Sequence, residues 1–269
     1  MIRVHILGAG GATPLPGHSP AAYHLTLDGL PILLDPGPGA LVRVVAAGLA
    51  PRGIDDIGRV LLSHLHPDHC LDLVALLFAA HSPLPRQRDP LALWGPPGLA
   101  RHLEQLRGIW GRSLEPRSRP LEVVELAPGE VRSLPGGGTF APFLVDHPQD
   151  RLADACFGFR FTDRDGHVVV YSGDTGPCPE LTEAARGVDL LVVECSTTDD
   201  LATPGHMTVG QVAELCREAR PQRVVLTHQY PPAAALDLPA LIGAPGGSAV
   251  VQARDGTVCQ VPYSEGDAS

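Results

Sequence analysis

The segment SHLHPDH, residues 63–69, carries the residue types in this chain that are best suited to chemistry. It places His64, His66, Asp68 and His69 directly after the apolar run VLL. Imidazole nitrogens and carboxylate oxygens both bind divalent metal ions, and holding so many polar groups together is costly unless something binds them. A strand that ends in a tight turn can aim the first two histidines at one point while Asp68 and His69 diverge to a second. The segment therefore predicts a site for two metal ions.

The run HLHPDH resembles the HxHxDH signature of the metallo-β-lactamase superfamily. Counterparts of the later motifs follow in order, with His147 in LVDHP, Asp174 in YSGDTG and His228 in LTHQYP, at successive offsets of 78, 27 and 54 residues from His69. The segments LGAGGATPLPG and LLDPGPG near the start of the chain are similar to this superfamily as well. The resemblance covers nearly the whole chain. It implies an α/β fold, a four-layer αββα sandwich, as a single domain over residues 1–269.

The resemblance also implies how the donor residues divide between two metal ions. It assigns His64, His66 and His147 to one ion, Asp68, His69 and His228 to the other, and Asp174 to a bridging position. Taken singly, His147 and His228 would be ordinary strand-end histidines. Asp174 follows the apolar run VVVYSG, where an unpaired buried carboxylate would cost several kcal/mol, so an adjacent cation explains it. Two Zn²⁺ ions are the first choice for this donor set, and such sites also take Mn²⁺ or iron.

The expected chemistry of such a site is hydrolysis, because two divalent ions about 3.5–4 Å apart activate water and neutralise an oxyanion on the substrate. His206 in TPGHMTV resembles the H-x-T element of ribonuclease Z and related phosphodiesterases, in which this histidine stabilises or protonates the departing oxygen. The alternative is a helix-start histidine that bonds its own backbone. By the same resemblance Glu194 in LLVVECS orients His206, the alternative being an exposed strand-end glutamate. Asp68 is a candidate proton acceptor for the attacking water as well as a ligand.

The leading functional hypothesis is a dinuclear-zinc phosphodiesterase related to ribonuclease Z. Bacterial ribonuclease Z enzymes that grip transfer RNA usually carry a long insertion after the third motif, whereas only 27 residues separate His147 from Asp174 here. A small or cyclic phosphodiester is therefore favoured over an RNA 3′ end. A lactone, thioester or lactam hydrolase is the second hypothesis, and His206 discriminates against it. An iron-dependent oxidoreductase and a non-catalytic scaffold remain, the scaffold being disfavoured because every ligand position is occupied.

Short β-branched runs that end in glycine or aspartate predict the strands that position these residues. Strands are predicted at 2–8, 23–29, 31–37, 59–64, 157–163, 168–174, 190–195 and 224–228, with a final hairpin over 249–261. Helices are predicted at 39–49, 179–187 and 208–219. The last helix opens with Thr208 and Gln211 at the spacing of a capping box. Several strands are apolar on both faces, which is typical of two stacked sheets covered by helices.

The composition and the net charge of the chain limit which kinds of binding partner are expected. The 269 residues are 44% apolar, and the formal net charge of -10 disfavours a long polyanion without excluding one, so a small anionic substrate is favoured and RNA stays open. The apolar run before Gly8 is too short for a signal peptide, and no stretch approaches the roughly 18 apolar residues of a membrane span. Six dispersed cysteines predict reduced thiols in a cytoplasmic protein. The resemblance is compatible with a homodimer.

Residues 83–120 differ from the rest in charge. They hold seven arginines against three acids, a local excess of +4. One interpretation is a solvated helix with its loops, and the other is a surface that attracts an anionic substrate.

Overall fold

The computed structural model describes residues 1–82, 89–117, 119–148 and 154–263. Its strands form two seven-stranded sheets, which we call the first and the second sheet. The strands of the first sheet are β1 (Ile2–Gly8), β2 (Ala22–Leu27), β3 (Leu30–Leu34), β4 (Arg59–Leu61), β5 (Leu91–Gly95), β6 (Leu121–Glu125) and β14 (Val258–Val261). Those of the second sheet are β7 (Arg132–Ser133), β8 (Thr139–Leu144), β9 (Phe157–Thr162), β10 (Val168–Tyr171), β11 (Leu190–Glu194), β12 (Arg223–Thr227) and β13 (Ala249–Gln252).

Helices cover the outer face of each sheet. Those of the first half are α1 (Ala40–Ala46), α2 (Pro67–Cys70), α3 (Asp72–Ala80) and α4 (Leu99–Trp110). Those of the second half are α5 (Pro179–Ala184), α6 (Val209–Ala219), α7 (Pro231–Ala234) and α8 (Leu238–Ile242). The capping box at the start of α6 is confirmed, because Thr208 accepts from the backbone N–H of Gln211 and the Gln211 side chain accepts from the backbone N–H of Thr208. None of the helices among the described residues is long and apolar enough to cross a membrane.

Strand periodicity explains the layers. In β10, Val169 and Tyr171 face the apolar core between the sheets, whereas Val168 and Val170 face the helices outside. The phenylalanines of β9 all point into the inter-sheet core. Both faces of the central strands are therefore buried, and the predicted αββα sandwich is confirmed.

The predicted hairpin over 249–261 is wrong. β13 pairs in parallel with β12 in the second sheet, and β14 pairs antiparallel with β1 in the first. The Asp-Gly turn between them looks like a hairpin signal, but its backbone groups bind the sheets instead: Ala253 N–H donates to Leu226, and Gly256 N–H donates to Ile6. The turn therefore passes the chain from one sheet to the other.

The strands β5 to β8 were not predicted. They are short, β8 contains Pro142, and β6 is only partly buried, so none of them shows a clear alternating pattern. The actual ends of several predicted strands are also earlier than expected, since β3 ends at Leu34, β4 at Leu61 and β10 at Tyr171. The residues that follow these ends form the candidate site.

Gly37 lets the loop after β3 pack closely against the backbones of Asp68 and Ala21. A Cβ on Gly37 would lie 1.9 Å from the Asp68 carbonyl oxygen and 2.6 Å from that of Ala21. We expect Gly37→Ala to destabilise the protein by about 2 kcal/mol or more, because these backbone atoms must move apart. Gly58→Ala is the matched control, since a Cβ there meets nothing within 4 Å. Chemical denaturation of both variants checks this, and equal stabilities would contradict it.

Candidate metal centre

The HLHPDH segment reaches the site through a sharp change of backbone direction after β4. His64 lies in the loop, His66 is the N-cap of α2 in an extended conformation, and Pro67 begins the helix. Asp68 and His69 therefore lie in the first helical turn and leave the backbone in a direction different from the histidines before them. The predicted divergence is thus produced by a short helix rather than by a turn alone.

The remaining donors follow strands of the second sheet at the same edge of the sandwich. His147 follows β8, Asp174 follows β10 and His228 follows β12. His228 has φ 53°, in the left-handed region that is costly for a residue with a Cβ. A Cβ on Gly11 would lie 2.8 Å from the His228 ring, so the loop after β1 packs tightly against that ring only because residue 11 is glycine.

The first donor cluster consists of His64, His66 and His147, and their candidate ligand atoms all lie within 4.8 Å of one another. His147 Nε2 is 3.0 Å from His66 Nδ1. The rings meet edge to face, with centroids 4.8 Å apart for His64 and His66 and 5.0 Å apart for His64 and His147. Three nitrogens from two sheets thus converge on one point.

The second donor cluster consists of Asp68, His69, Asp174 and His228. His69 Nε2 lies 3.2 Å from Asp174 Oδ1, and His228 Nε2 lies 3.1 Å from Asp174 Oδ2 and 3.4 Å from Asp68 Oδ2. Burial acts to raise the pKa of Asp68, but His69 and His228 outweigh it and lower the pKa to about 2. The neighbouring histidines likewise hold the pKa of Asp174 well below its usual range against the effect of burial. Both carboxylates are therefore ionised.

Asp174 stands between the two donor clusters. Its Oδ2 atom is also 3.8 Å from His64 Nε2 of the first cluster. The carboxylate thus contacts histidines of both clusters, and its role as a bridging ligand stays a prediction.

Unpartnered polar atoms test whether the clusters fit metal ions. His64 Nε2, His69 Nε2, His228 Nε2 and Asp174 Oδ1 are all buried without a hydrogen-bond partner among the described residues. Each such group costs about 1–3 kcal/mol unless it is satisfied. These atoms belong to the two donor clusters, and nitrogen and carboxylate oxygen suit Zn²⁺. The residues present therefore fit a pair of divalent ions.

In four of the five histidines of the two clusters, Nδ1 lies within hydrogen-bond distance of an oxygen. His147 Nδ1 donates to the Gly205 carbonyl at 2.7 Å, His69 Nδ1 to Asp35 at 3.1 Å, and His64 Nδ1 lies 3.0 Å from Ser63 Oγ. His228 Nδ1 lies 3.1 Å from Ser196 Oγ. A donor hydrogen on Nδ1 leaves the lone pair on Nε2, so these contacts orient four rings with Nε2 toward the clusters.

Asp35 supports both clusters, and the sequence analysis did not single it out. This fully buried carboxylate accepts from Ser63 N–H at 2.7 Å, from Ser63 Oγ at 2.6 Å and from Tyr171 OH at 2.7 Å, in addition to His69. Its φ is 47°, a left-handed conformation enforced by these contacts. The LLDPGPG segment was the signal that could have identified it.

We expect Asp35→Asn to weaken metal affinity about 10- to 100-fold, because an amide cannot accept all of these hydrogen bonds and His69 loses its fixed orientation. Competition with a chelating dye measures this affinity. Asp72→Asn is the control, since the Asp72 carboxylate accepts only backbone N–H groups from Gly39 and Leu41. Equal affinities in the two variants would contradict this role for Asp35.

His206 and Glu194 meet at the rim of both clusters. Glu194 is fully buried, which excludes the exposed glutamate, and its Oε2 atom lies 3.1 Å from His206 Nδ1. The His206 ring is stacked on His228 at 5.5 Å and lies edge-on to His147 at 4.9 Å. Burial acts to lower the pKa of His206, but the hydrogen bond and charge of Glu194 raise it to about 9. Glu194 thus favours the protonated form of His206 and fixes its Nδ1 atom.

Glu194 also connects His206 to a metal-ligand candidate. Its Oε2 atom accepts from Ser196 Oγ, which contacts His228 Nδ1, and from the backbone N–H of Met207 at 3.2 Å. The sequence analysis did not identify Ser196. A single carboxylate therefore orients residues on two sides of the site.

Three of the five described arginines in the arginine-rich segment, residues 83–120, form ion pairs. Arg101, Arg107 and Arg112 form ion pairs with Asp154, Glu104 and Glu115, and Arg119 is buried against the carbonyl of Ile57. Arg86 and Arg88 lie outside the described residues. The pairing favours the solvated-helix interpretation for α4, although the segment also contains the buried strand β5.

Comparison with known proteins assigns the family. The family model described as the beta-lactamase superfamily domain matches residues 31–229, a stretch that contains all seven donor residues. The chain belongs to the metallo-β-lactamase superfamily. This metallo-β-lactamase superfamily protein is a metal-dependent hydrolase.

Similar proteins cover almost the same length. The protein Rv1339 of Mycobacterium tuberculosis is 33% identical, with 86% of this chain and 81% of that protein aligned. A ribonuclease Z from Mycobacterium sp. (strain KMS) is 32% identical over 87% of this chain and 86% of its own. Among solved structures, YhfI from Bacillus subtilis has a TM-score of 0.79 at 22% identity, covering 96% of this chain and 98% of YhfI. The short form of human tRNase Z has a TM-score of 0.75 at 23% identity, covering 97% and 100%.

Proposed function

We propose that this protein is a dinuclear-zinc phosphodiesterase related to ribonuclease Z. The observation that carries the proposal is His206, a half-buried imidazole that Glu194 holds against the rings of His147 and His228. Phosphodiester hydrolysis expels an alkoxide, which needs a proton donor or a positive group beside it. The 32% identity to a ribonuclease Z supports the same reaction class.

His64, His66 and His147 would hold one zinc ion, Asp68, His69 and His228 the other, and Asp174 would contact both. Bound zinc supplies a nucleophilic water at neutral pH and neutralises negative charge on the phosphate oxygens.

The proton transfers are assigned to residues of this chain. Asp68 lies in the second cluster, 14% exposed, and is placed to take a proton from the attacking water. The water oxygen bonds to phosphorus while the bond from phosphorus to the leaving oxygen breaks, and the electron pair stays on that oxygen. His206 donates its proton there, and Glu194 keeps the imidazole ring in place. Asp68 and His206 then exchange protons with solvent, so the cycle balances.

A small or cyclic phosphodiester is proposed over an RNA 3′ end. Between His147 and Asp174, β9 and β10 with their connecting turn account for residues 157–171, and residues 149–153 lie outside the described part of the chain. This leaves little room for an RNA-gripping insertion. The formal net charge of -10 acts in the same direction.

A substrate panel on zinc-loaded protein tests the proposal. We expect bis(p-nitrophenyl) phosphate and a cyclic nucleotide to be hydrolysed faster than a lactone, a thioester or a β-lactam. Faster turnover of the lactone or thioester would assign the second hypothesis instead. Plasma mass spectrometry of the purified protein separates zinc from the iron that an oxidoreductase requires.

A further inference from the structure

A cavity of about 290 Å³ opens beside His206, and the proposed mechanism does not use it. Residues 202–206 form one wall, and Asp146, Gly176, Pro177 and Gln211 form the others. We call this space the leaving-group cavity. The alcohol that receives a proton from His206 must lie beside that residue, so the cavity is placed to hold it.

Two glycines, Gly176 and Gly205, line the leaving-group cavity. Asp146 and Gly176 form an isolated β-bridge in which Gly176 N–H donates to the Asp146 carbonyl at 2.7 Å. A Cβ on Gly176 would lie 3.2 Å from Asp146 Oδ2 and 3.6 Å from Gly205 Cα. Gly205 has φ 79°, and a Cβ there would lie 2.3 Å from Pro148 Cδ. The floor is thus backbone, and the Asp146 carboxylate stands directly over it.

The charge of the cavity is set by Asp146. Its described lining contains this exposed carboxylate, the neutral polar side chains of Thr203 and Gln211, and His206, but no arginine. His206 Nδ1 is already hydrogen-bonded to Glu194. A second anion on the substrate would therefore lie near a carboxylate that has no ion pair among the described residues, at a cost that falls with distance and salt.

We propose that the leaving-group cavity binds the alcohol portion of the phosphodiester and that Asp146 selects uncharged alcohols against anionic ones. The inference rests on the proposed phosphodiesterase activity and specifies its substrate class. In a polynucleotide the next phosphate follows the leaving alcohol, so Asp146 disfavours RNA. A cyclic or single phosphodiester carries no such phosphate.

Two chromogenic substrates that differ by one charge test the inference. Methyl 4-nitrophenyl phosphate has an uncharged leaving group, and methyl 3-carboxy-4-nitrophenyl phosphate has an anionic one. We expect Asp146→Asn to raise kcat/KM for the anionic substrate about fivefold, the effect expected for two charges about 4 Å apart in bulk water, because Asp146 is exposed. The kcat/KM for the uncharged substrate stays the same. The backbone contacts of Asp146 persist in asparagine, and thermal melting verifies the fold.

Asp165→Asn provides the matched control, because it also removes one exposed negative charge. Asp165 lies in the turn before β10, whereas the candidate site, with Asp174, lies after the opposite end of that strand. An unchanged substrate ratio in Asp146→Asn, or an equal change in Asp165→Asn, overturns the inference while hydrolysis of the uncharged diester still supports the proposed function. Failure of the wild-type protein to hydrolyse either diester overturns both.

Discussion

Replacing His206 by alanine is expected to slow phosphodiester hydrolysis by about 10²- to 10⁴-fold, the range that general acid catalysis contributes. The imidazole lies against rings of both donor clusters, with its Nδ1 held by Glu194. The loss should fall on kcat more than on KM, because the proton is needed only as the leaving oxygen gains charge. Steady-state kinetics with a cyclic nucleotide, whose alkoxide leaving group needs a proton, measure the loss.

The same variant should keep its metal content, since His206 is not among the donors of either cluster. His167→Ala is the matched control: this histidine is also paired with a carboxylate, Asp163 at 3.0 Å, but lies in the turn before β10. If His206→Ala retains normal turnover, or if it loses zinc in proportion to activity, His206 does not act as the proton donor.

We expect Asp174→Asn to reduce metal content and turnover more than any other single substitution in this protein. Asp174 contacts donors of both clusters, and an amide removes the negative charge and one acceptor oxygen from between two cations. We expect metal content to fall from two ions per chain to one or fewer. Turnover should fall by on the order of 10³-fold or more, because paired-ion stabilisation of the transition state is worth several kcal/mol.

Metal analysis by plasma mass spectrometry and turnover at saturating zinc measure these effects separately. Asp189→Asn is the control, because the Asp189 carboxylate accepts from the backbone N–H of Val168 at 2.7 Å and from Gln222, beside the start of β10. Two bound ions and near-normal turnover in Asp174→Asn would refute the bridging role.

The donor residues could be predicted from the sequence because their types and order are local properties. HLHPDH brings four of them into one segment, and each later donor follows an apolar strand. The structure adds contacts between residues that are far apart in the sequence, which the spacing of motifs does not predict. Asp35 contacts Tyr171 across 136 residues once the two sheets are stacked, and Ser196 contacts His228 across 32 once β11 and β12 pair within the second sheet. No local pattern predicts them.

Some strands of the fold were predicted from the sequence and others were not. Strands such as β11, buried along its whole length, give a clear apolar run, whereas β6 and β8 in the middle of the chain do not. The final Asp-Gly turn has the composition of a hairpin, but the open edges of two different sheets decide where its flanking strands pair. The Asp-Gly composition therefore predicts a turn of the chain, whereas the tertiary structure determines which strands pair on either side of it.

The division of donors between the halves of the chain has a consequence for how the protein resists unfolding. The first half supplies His64 and His66 to one cluster and Asp68 and His69 to the other, while His147, Asp174 and His228 come from the second half. Each bound ion would thus act as a cross-link that clamps the two sheets together. Chelation would remove both cross-links at once. We therefore expect the rate of unfolding to depend on the free metal concentration more steeply than it would if helix packing alone held the two sheets together.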